Sequence, residues 1–192
     1  MIKIALFASG NGSNAENVFR YFEKNSGISF GSIYCNKANA YVLERAKTLG
    51  ISSFVFDKNG LENPEIVLKK LRDEKIDLII LCGFLLKIPE IIISHFDEKI
   101  INIHPALLPK YGGKGMYGMN VHNAVKENKE SKSGITIHLV NEKYDEGSIL
   151  FQAECDVLDS DTADDIANKV HQLEYAFFPE IINTYIKEQL NN

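Results

Sequence analysis

Short apolar runs rich in β-branched residues alternate with longer segments of helical periodicity through the first two thirds of the chain. This alternation is typical of βαβ units, in which helices cover both faces of a parallel sheet. The runs are apolar at nearly every position, as expected for strands buried on both faces. The predicted strands are Ile2–Ala8, Ser29–Tyr34, Ser52–Phe56, Leu78–Leu81 and Ile100–Ile103, and the predicted helices are Asn14–Asn25, Ala40–Leu49, Pro64–Glu74 and Pro89–Phe96.

After His104 the pattern changes to a glycine-rich, irregular stretch, followed by a short helix, two strands and a long final helix. We expect the two strands to form an antiparallel pair, and side chains of Asp159–Thr162 can cap the final helix. The predicted fold class is therefore α/β: a Rossmann-like open, mostly parallel sheet with helices on both faces, antiparallel strands late in the chain and a long C-terminal helix. The predicted elements of this part are Asn120–Glu127, Gly134–Val140, Ile149–Val157 and Ala163–Glu188.

Composition and charge narrow the class of protein. With 192 residues, 45% of them hydrophobic, the chain can form one domain, 1–192, that buries roughly 70% of its unfolded surface. The net charge of −5 without a basic run disfavours nucleic acid, and the apolar runs are shorter than the ~18 residues that span a membrane. Three distant cysteines favour neither a disulfide framework nor a zinc site, so we expect a cytoplasmic protein.

A glycine loop follows the first predicted strand and opens the first helix. Within Ser9–Ala15, Gly10 and Gly12 allow backbone N–H groups to approach an anion at a helix start, although a tight strand-to-helix turn would need the same glycines. The loop also fits G-x-G-x-x-A, a loose dinucleotide fingerprint, but Tyr34–Lys37 lacks the acidic residue that would bind a ribose. A single phosphate is the better ligand.

Two polar side chains lie at the end of the fifth predicted strand. Asn102 and His104 alternate and therefore share one face, and Pro105 ends the strand. A His in an apolar strand can be a core residue, but the amide two positions earlier and the strand-end position favour a functional site. An amide and an imidazole suit acyl transfer, because the carbonyl oxygen that becomes negative needs donors. Since no Ser or Cys nucleophile is evident nearby, we expect direct attack by a substrate amine.

The other histidines give weaker signals. His104 has neither a His nor a carboxylate at i+4 and no Cys pair, so we expect no metal. His95, His122 and His171 fit ordinary helix or surface positions. His138 lies in a predicted strand and could face the same cleft as His104.

An acidic loop, Asn141–Gly147, joins the last two predicted strands and by itself is typical of a solvated hairpin turn. A carboxylate beside an imidazole favours the cationic form and raises its pKa, which makes His a better proton donor near neutral pH. Asp145 is the natural candidate for this partner of His104.

Together these segments resemble the folate-dependent formyltransferase family, specifically its members that formylate glycinamide ribonucleotide. The likeness extends from Ile2 to about Pro179, and its specificity comes from the combination of segments. The segments are Ser9–Asn14, Asn36–Ala38, Gly83–Phe84, Asn102–Tyr111 and Asp145–Gly147.

The resemblance implies that 10-formyltetrahydrofolate is the formyl donor, as a co-substrate, and that glycinamide ribonucleotide is the acceptor, in purine biosynthesis. It also implies that the protein is cytoplasmic and is a monomer or a homodimer. It implies that Asn102, His104 and Asp145 are the catalytic group, with His104 as general acid. The further implied contacts are Gly12, Ser13, Asn14, Lys110 and Glu174 with the acceptor, and Leu85, Leu86, Lys87, Ile88 and Asn102 with the folate.

Two segments depart from the family pattern. Many relatives carry Met-Arg-Ile-Leu where this chain has Leu85–Ile88, so the cation is moved by one position. The segment Gly112–Gly118 contains four glycines, and we expect a mobile flap there.

Two other functions fit parts of this pattern. The same catalytic domain could formylate initiator methionyl-tRNA or hydrolyse the formyl folate, but those enzymes carry additional domains that a chain of this length would lack. A dinucleotide-binding module shares the glycine loop but leaves Asn102, His104 and Asp145 without a role.

Overall fold

A seven-stranded sheet organises the protein, whose computed structural model describes residues 1–190. The strands are β1 (Ile2–Ala8), β2 (Ile28–Cys35), β3 (Ser53–Val55), β4 (Leu78–Leu81), β5 (Ile100–His104), β6 (Lys132–Leu139) and β7 (Ile149–Asp156). Their spatial order is β3-β2-β1-β4-β5-β6-β7; the first five are parallel, β6 is antiparallel to β5, and β7 is antiparallel to β6. The predicted domain ends at residue 192, and residues 191 and 192 lie outside the described range.

Seven α-helices connect or follow the strands within the described residues. They are α1 (Ser13–Phe22), α2 (Val42–Leu49), α3 (Lys58–Glu62), α4 (Lys69–Asp73), α5 (Glu90–His95), α6 (Met119–Glu127) and α7 (Ala163–Tyr185), with π-helical turns at Pro64–Leu68 and Ile186–Leu190. The sequence did not predict α3, because five residues are too few to show a helical period. Pro89 caps α5 in an extended conformation and does not form its first turn.

Alternate residues of each central strand enter two separate cores, one on each face of the sheet. Ile4 and Leu6 of β1 pack in the core shared with α1, α2, α6 and α7. Ala5 and Phe7 pack in the core shared with α3, α4 and α5. This burial on both faces explains the continuously apolar strands and confirms the predicted fold class. No helix within residues 1–190 is both long and apolar enough to cross a membrane.

A buried threonine fixes the chain that leaves β5. Thr136 Oγ1 donates to the Ala106 carbonyl at 2.7 Å and accepts from the Leu108 N–H at 3.0 Å. The Gln152 side-chain amide donates to Thr136 Oγ1 at 2.8 Å and to the Leu108 carbonyl at 3.0 Å. Since Thr136 pairs with His104 in the antiparallel ladder, this network holds the backbone beside His104.

The start of α7 provides a test of local stabilisation. Thr162 Oγ1 accepts from the Asp165 N–H at 3.1 Å, and the Asp165 carboxylate accepts from the Thr162 N–H at 2.9 Å. Thr162→Ala should lower the free energy of unfolding by about 1 kcal/mol, because one N–H of the first turn loses its partner. Urea unfolding measures the change, with Thr162→Ser as the control that keeps the oxygen. Equal stability of the two variants would contradict the role of this cap.

Candidate active site

A cavity of about 670 Å³ lies beyond the carboxyl ends of β1, β4 and β5. The glycine loop, the turn after β4 and the end of β5 form its walls, and the flap, the acidic loop and residues of α6 and α7 enclose it. This is the position at which open α/β sheets bind ligands. The predicted site residues that line it are Gly12, Ser13, Asn14, Leu85, Asn102, His104, Asp145 and Glu174.

The glycine loop presents an uncapped helix start to this cavity. Gly12 has a left-handed φ of 76° and precedes α1, and no side chain caps the first turn of that helix. A Cβ on Gly12 would lie 2.3 Å from Val42 Cγ2, so both the conformation and the close packing require glycine. Free N–H groups at the positive end of a helix dipole suit an anionic ligand.

Buried Glu174 connects the glycine loop with α7. Its Oε2 accepts from Asn14 Nδ2 at 2.9 Å and lies 2.8 Å from His171 Nδ1. The hydrogen bond with Glu174 raises the pKa of His171 above its ordinary value, although burial opposes it. Within the described residues, Asn14 Oδ1 and His122 Nδ1 are buried without a hydrogen-bond partner, and both residues line the cavity. Unpaired polar atoms at a cavity wall fit a polar ligand.

His138 holds the Asn102 amide from behind the cavity wall. The two residues pair directly between β5 and β6, and Asn102 Nδ2 lies 3.1 Å from His138 Nε2. His138 Nδ1 lies 2.8 Å from the Leu139 carbonyl, which can only accept. The proton of neutral His138 is therefore on Nδ1, and Nε2 accepts from Asn102. The second N–H and the carbonyl oxygen of Asn102 remain available to a ligand.

The two ring nitrogens of buried His104 have different surroundings. Nε2 lies 2.7 Å from the Tyr111 carbonyl, which places a proton on Nε2. Nδ1 lies 3.7 Å from Asp145 Oδ2, which is too far for a hydrogen bond. Burial lowers the pKa of His104, and this effect exceeds the opposing effect of Asp145. Asp145 therefore acts in the expected direction, but the net shift in the pKa of His104 is downward, and neutral His104 has Nδ1 free to accept a proton.

The Asp145 carboxylate lies between two imidazoles. It is 3.7 Å from His104 and 3.7 Å from His138, and it accepts from the Gly113 N–H at 2.8 Å. Burial alone would raise the pKa of Asp145, but the two imidazoles, in their protonated forms, and this N–H outweigh burial and lower it. The carboxylate is thus ionised and joins the flap to the polar end of β5.

Residues 2–182 match the family model described as formyl transferase. The chain belongs to the formyl transferase family. It is 38% identical to phosphoribosylglycinamide formyltransferase, chloroplastic, of Arabidopsis thaliana, over 98% of this chain and 66% of that protein. It is 36% identical to phosphoribosylglycinamide formyltransferase of Bacillus subtilis, over 100% of this chain and 97% of that protein. The crystal structure of phosphoribosylglycinamide formyltransferase from Anaplasma phagocytophilum matches with a TM-score of 0.88 at 30% identity, covering 98% of this chain and 88% of that one.

This formyl transferase does not bring every predicted contact residue to the cavity. Lys110 Nζ pairs with partly buried Glu130 at 2.9 Å and does not line the cavity. Of the segment Leu85–Ile88, Leu85 lines the cavity, whereas Ile88 is buried in the core beside α5. Of Lys110 and Leu85–Ile88, Leu85 is thus the one residue that lines this cavity within the described part of the chain.

Two histidines that the sequence placed in ordinary positions line the cavity of this formyl transferase. His122 comes from α6 and His171 from α7, so both lie in helices as expected, and both also line the cavity. His171 precedes Glu174 by three positions, a spacing that puts both on one helix face, but nothing local marks His122. His95 does lie near the surface, 3.5 Å from Arg72. Within residues 1–190, no cluster of three or more His, Cys, Asp or Glu side chains could hold a metal ion.

Replacing Asp145 by Asn should lower the pKa of His104 further, because the anion that favours the imidazolium is removed while burial remains. The measurement is an NMR titration of the labelled His104 ring, assigned by its loss in His104→Gln. Glu142→Gln removes a carboxylate from an exposed position of the same loop and should leave the titration unchanged. An unchanged or raised His104 pKa in Asp145→Asn would show that the two groups do not interact.

Proposed function

We propose that this chain transfers the formyl group of 10-formyltetrahydrofolate to the amine of glycinamide ribonucleotide, giving N-formylglycinamide ribonucleotide in purine biosynthesis. One arrangement carries the proposal: the uncapped start of α1 and the trio Asn102, His104 and Asp145 lie on walls of the same cavity. A phosphate at one end of the acceptor and an amine at the other can therefore be held together. The names of full-length relatives support this acceptor.

The chemistry follows from the protonation states of the trio. The acceptor nitrogen forms a bond to the formyl carbon, the bond from that carbon to N10 of the folate breaks, and the proton lost by the amine ends on N10. Asn102 donates its free N–H to the oxygen that becomes negative, a type of contact whose loss costs about 3 kcal/mol or more. His104 Nδ1 accepts the amine proton and then returns it as general acid, while Asp145 stabilises the intervening imidazolium.

The remaining walls are assigned to the two substrates. The N–H groups of Gly12–Asn14 bind the acceptor phosphate, and Glu174 contacts the glycinamide end. Asn14 and His171 support this role of Glu174, because they hold its carboxylate at the cavity wall. Leu85 and Asn102 contact the folate.

The cellular setting belongs to the same proposal. The substrates of the protein are small molecules, the protein is located in the cytoplasm, and it is a monomer or a homodimer. The net charge of −5 supports small-molecule substrates over nucleic acid. The three cysteines are free thiols, as a reducing compartment favours.

Turnover with alternative acceptors tests the proposed function. The protein and 10-formyltetrahydrofolate are incubated with glycinamide ribonucleotide, with methionyl-tRNA, or with water alone. We expect product with glycinamide ribonucleotide. In Asn102→Ala, kcat should fall by about a hundredfold or more, because one donor to the oxygen is lost. Formylated tRNA or free formate as the main product would instead favour the tRNA-type or deformylase-type reaction. Micromolar NAD binding by calorimetry would favour a dinucleotide-binding module.

Gly12→Val should raise the KM for glycinamide ribonucleotide by about tenfold or more, because a β-branched residue resists a positive φ and its Cβ would overlap Val42. Steady-state kinetics measure the change. Gly50→Ala is the matched control, since Gly50 also has a positive φ, 69°, but a Cβ there meets nothing within 4 Å. The control should lose stability and keep its KM. Equal KM values in both variants would show that the glycine loop does not bind the acceptor.

A further inference from the structure

Helix α2 packs behind the glycine loop, on the side away from the cavity. The Val42 N–H donates to the Gly10 carbonyl at 3.1 Å. Val42 also occupies the space where a side chain of Gly12 would lie. The loop is therefore supported by an element that contributes no residue to the cavity wall.

Arg45 of α2 binds this loop through two oxygens of one residue. Its Nε donates to the Asn11 carbonyl at 2.9 Å, and its Nη2 donates to Asn11 Oδ1 at 2.7 Å. The third contact, from Nη1, is to the Glu16 carboxylate in the first turn of α1. Its guanidinium lies over the Tyr41 ring, 5.0 Å from the centroid. One rigid, planar group thus ties α2, the loop and α1 together.

The contacts of Arg45 with Asn11, here called the clamp, also fix the direction of the next N–H group, because the peptide bond is planar. The Asn11 carbonyl and the Gly12 N–H belong to one planar trans peptide and point in opposite directions. When Arg45, which does not line the cavity, holds the Asn11 carbonyl, the Gly12 N–H must point away from Arg45. Gly12 lines the cavity, and its N–H has no hydrogen-bond partner within the described residues.

Arg45 shares the Glu16 carboxylate with a second cation, Arg20. Glu16 accepts from both Arg20, at 2.8 Å, and Arg45, and these two contacts lower the pKa of Glu16. Arg45 itself does not line the cavity. Its direct contacts are therefore with the loop and α1, and not with a ligand in the cavity.

We propose that Arg45 is a positioning residue for phosphate recognition, which fixes the peptide between Asn11 and Gly12 so that the Gly12 N–H faces the acceptor phosphate. This inference rests on the proposed function. It adds a residue outside the cavity to the determinants of acceptor specificity.

The test compares Arg45→Met and Arg45→Lys with the control Arg20→Met, which also removes a cation from Glu16 but leaves Asn11 untouched. Both Arg45 variants should raise the KM for glycinamide ribonucleotide by about tenfold, because charge-assisted hydrogen bonds to the loop are lost. Their kcat should change little, and the control should match the wild type. Turnover of glycinamide riboside, which lacks the phosphate, should be equal in all four proteins.

A Lys variant with a wild-type KM would overturn the proposal, since charge alone would then be sufficient. Equal losses with the phosphorylated and unphosphorylated acceptors would also overturn it, because they indicate general damage. Titration with inorganic phosphate, followed by the amide NMR signals of Gly12 and Ser13, tests the clamp without turnover. Tighter binding to wild type than to Arg45→Lys supports the clamp even if formyl transfer fails, and equal binding overturns it. Should Arg45→Met fail to fold, this titration of Arg45→Lys decides.

Discussion

An ionised carboxylate between two buried imidazoles is the interaction on which the rest of the site depends. Asp145 lies 3.7 Å from both His104 and His138, and it also accepts from the Gly113 N–H of the flap. The loop can place the carboxylate there because residue 147 is glycine. A Cβ at this position would lie 1.7 Å from a carbonyl oxygen of β6. A side chain at that position would force the loop away from the sheet, and the carboxylate with it.

The sheet determines which groups can meet this carboxylate. The chain moves outward from β1 to β2 and β3, then crosses to β4 on the other side of β1, which opens a crevice at the carboxyl ends of the strands. The glycine loop lies on one side of that crevice and β5 on the other. The antiparallel return of β6 then places His138 beside Asn102.

Sequence reasoning succeeded where a local period decides the arrangement. The shared face of Asn102 and His104 follows from the two-residue repeat of a strand, and the glycine loop follows from its place between a strand and a helix. It could not find the contact of His138 with Asn102, because that contact depends on the register of two strands about 30 residues apart. Likewise, the cavity-facing position of His122 depends on how α6 packs. The ion pair of Lys110 with Glu130 depends on the packing of two distant segments in the same way.

In the proposed reaction, burial gives His104 a role that its carboxylate partner alone would not predict. A nearby anion by itself would keep the imidazole charged, and a charged ring could not accept a proton from an attacking amine. Because burial outweighs Asp145 and lowers the pKa, the neutral form persists to lower pH, with Nδ1 unprotonated. The carboxylate becomes most important after the proton arrives, since it then faces a cation at short range. The same pair can therefore favour proton acceptance first and stabilise its product afterwards, which is what transfer of one proton between two nitrogens requires.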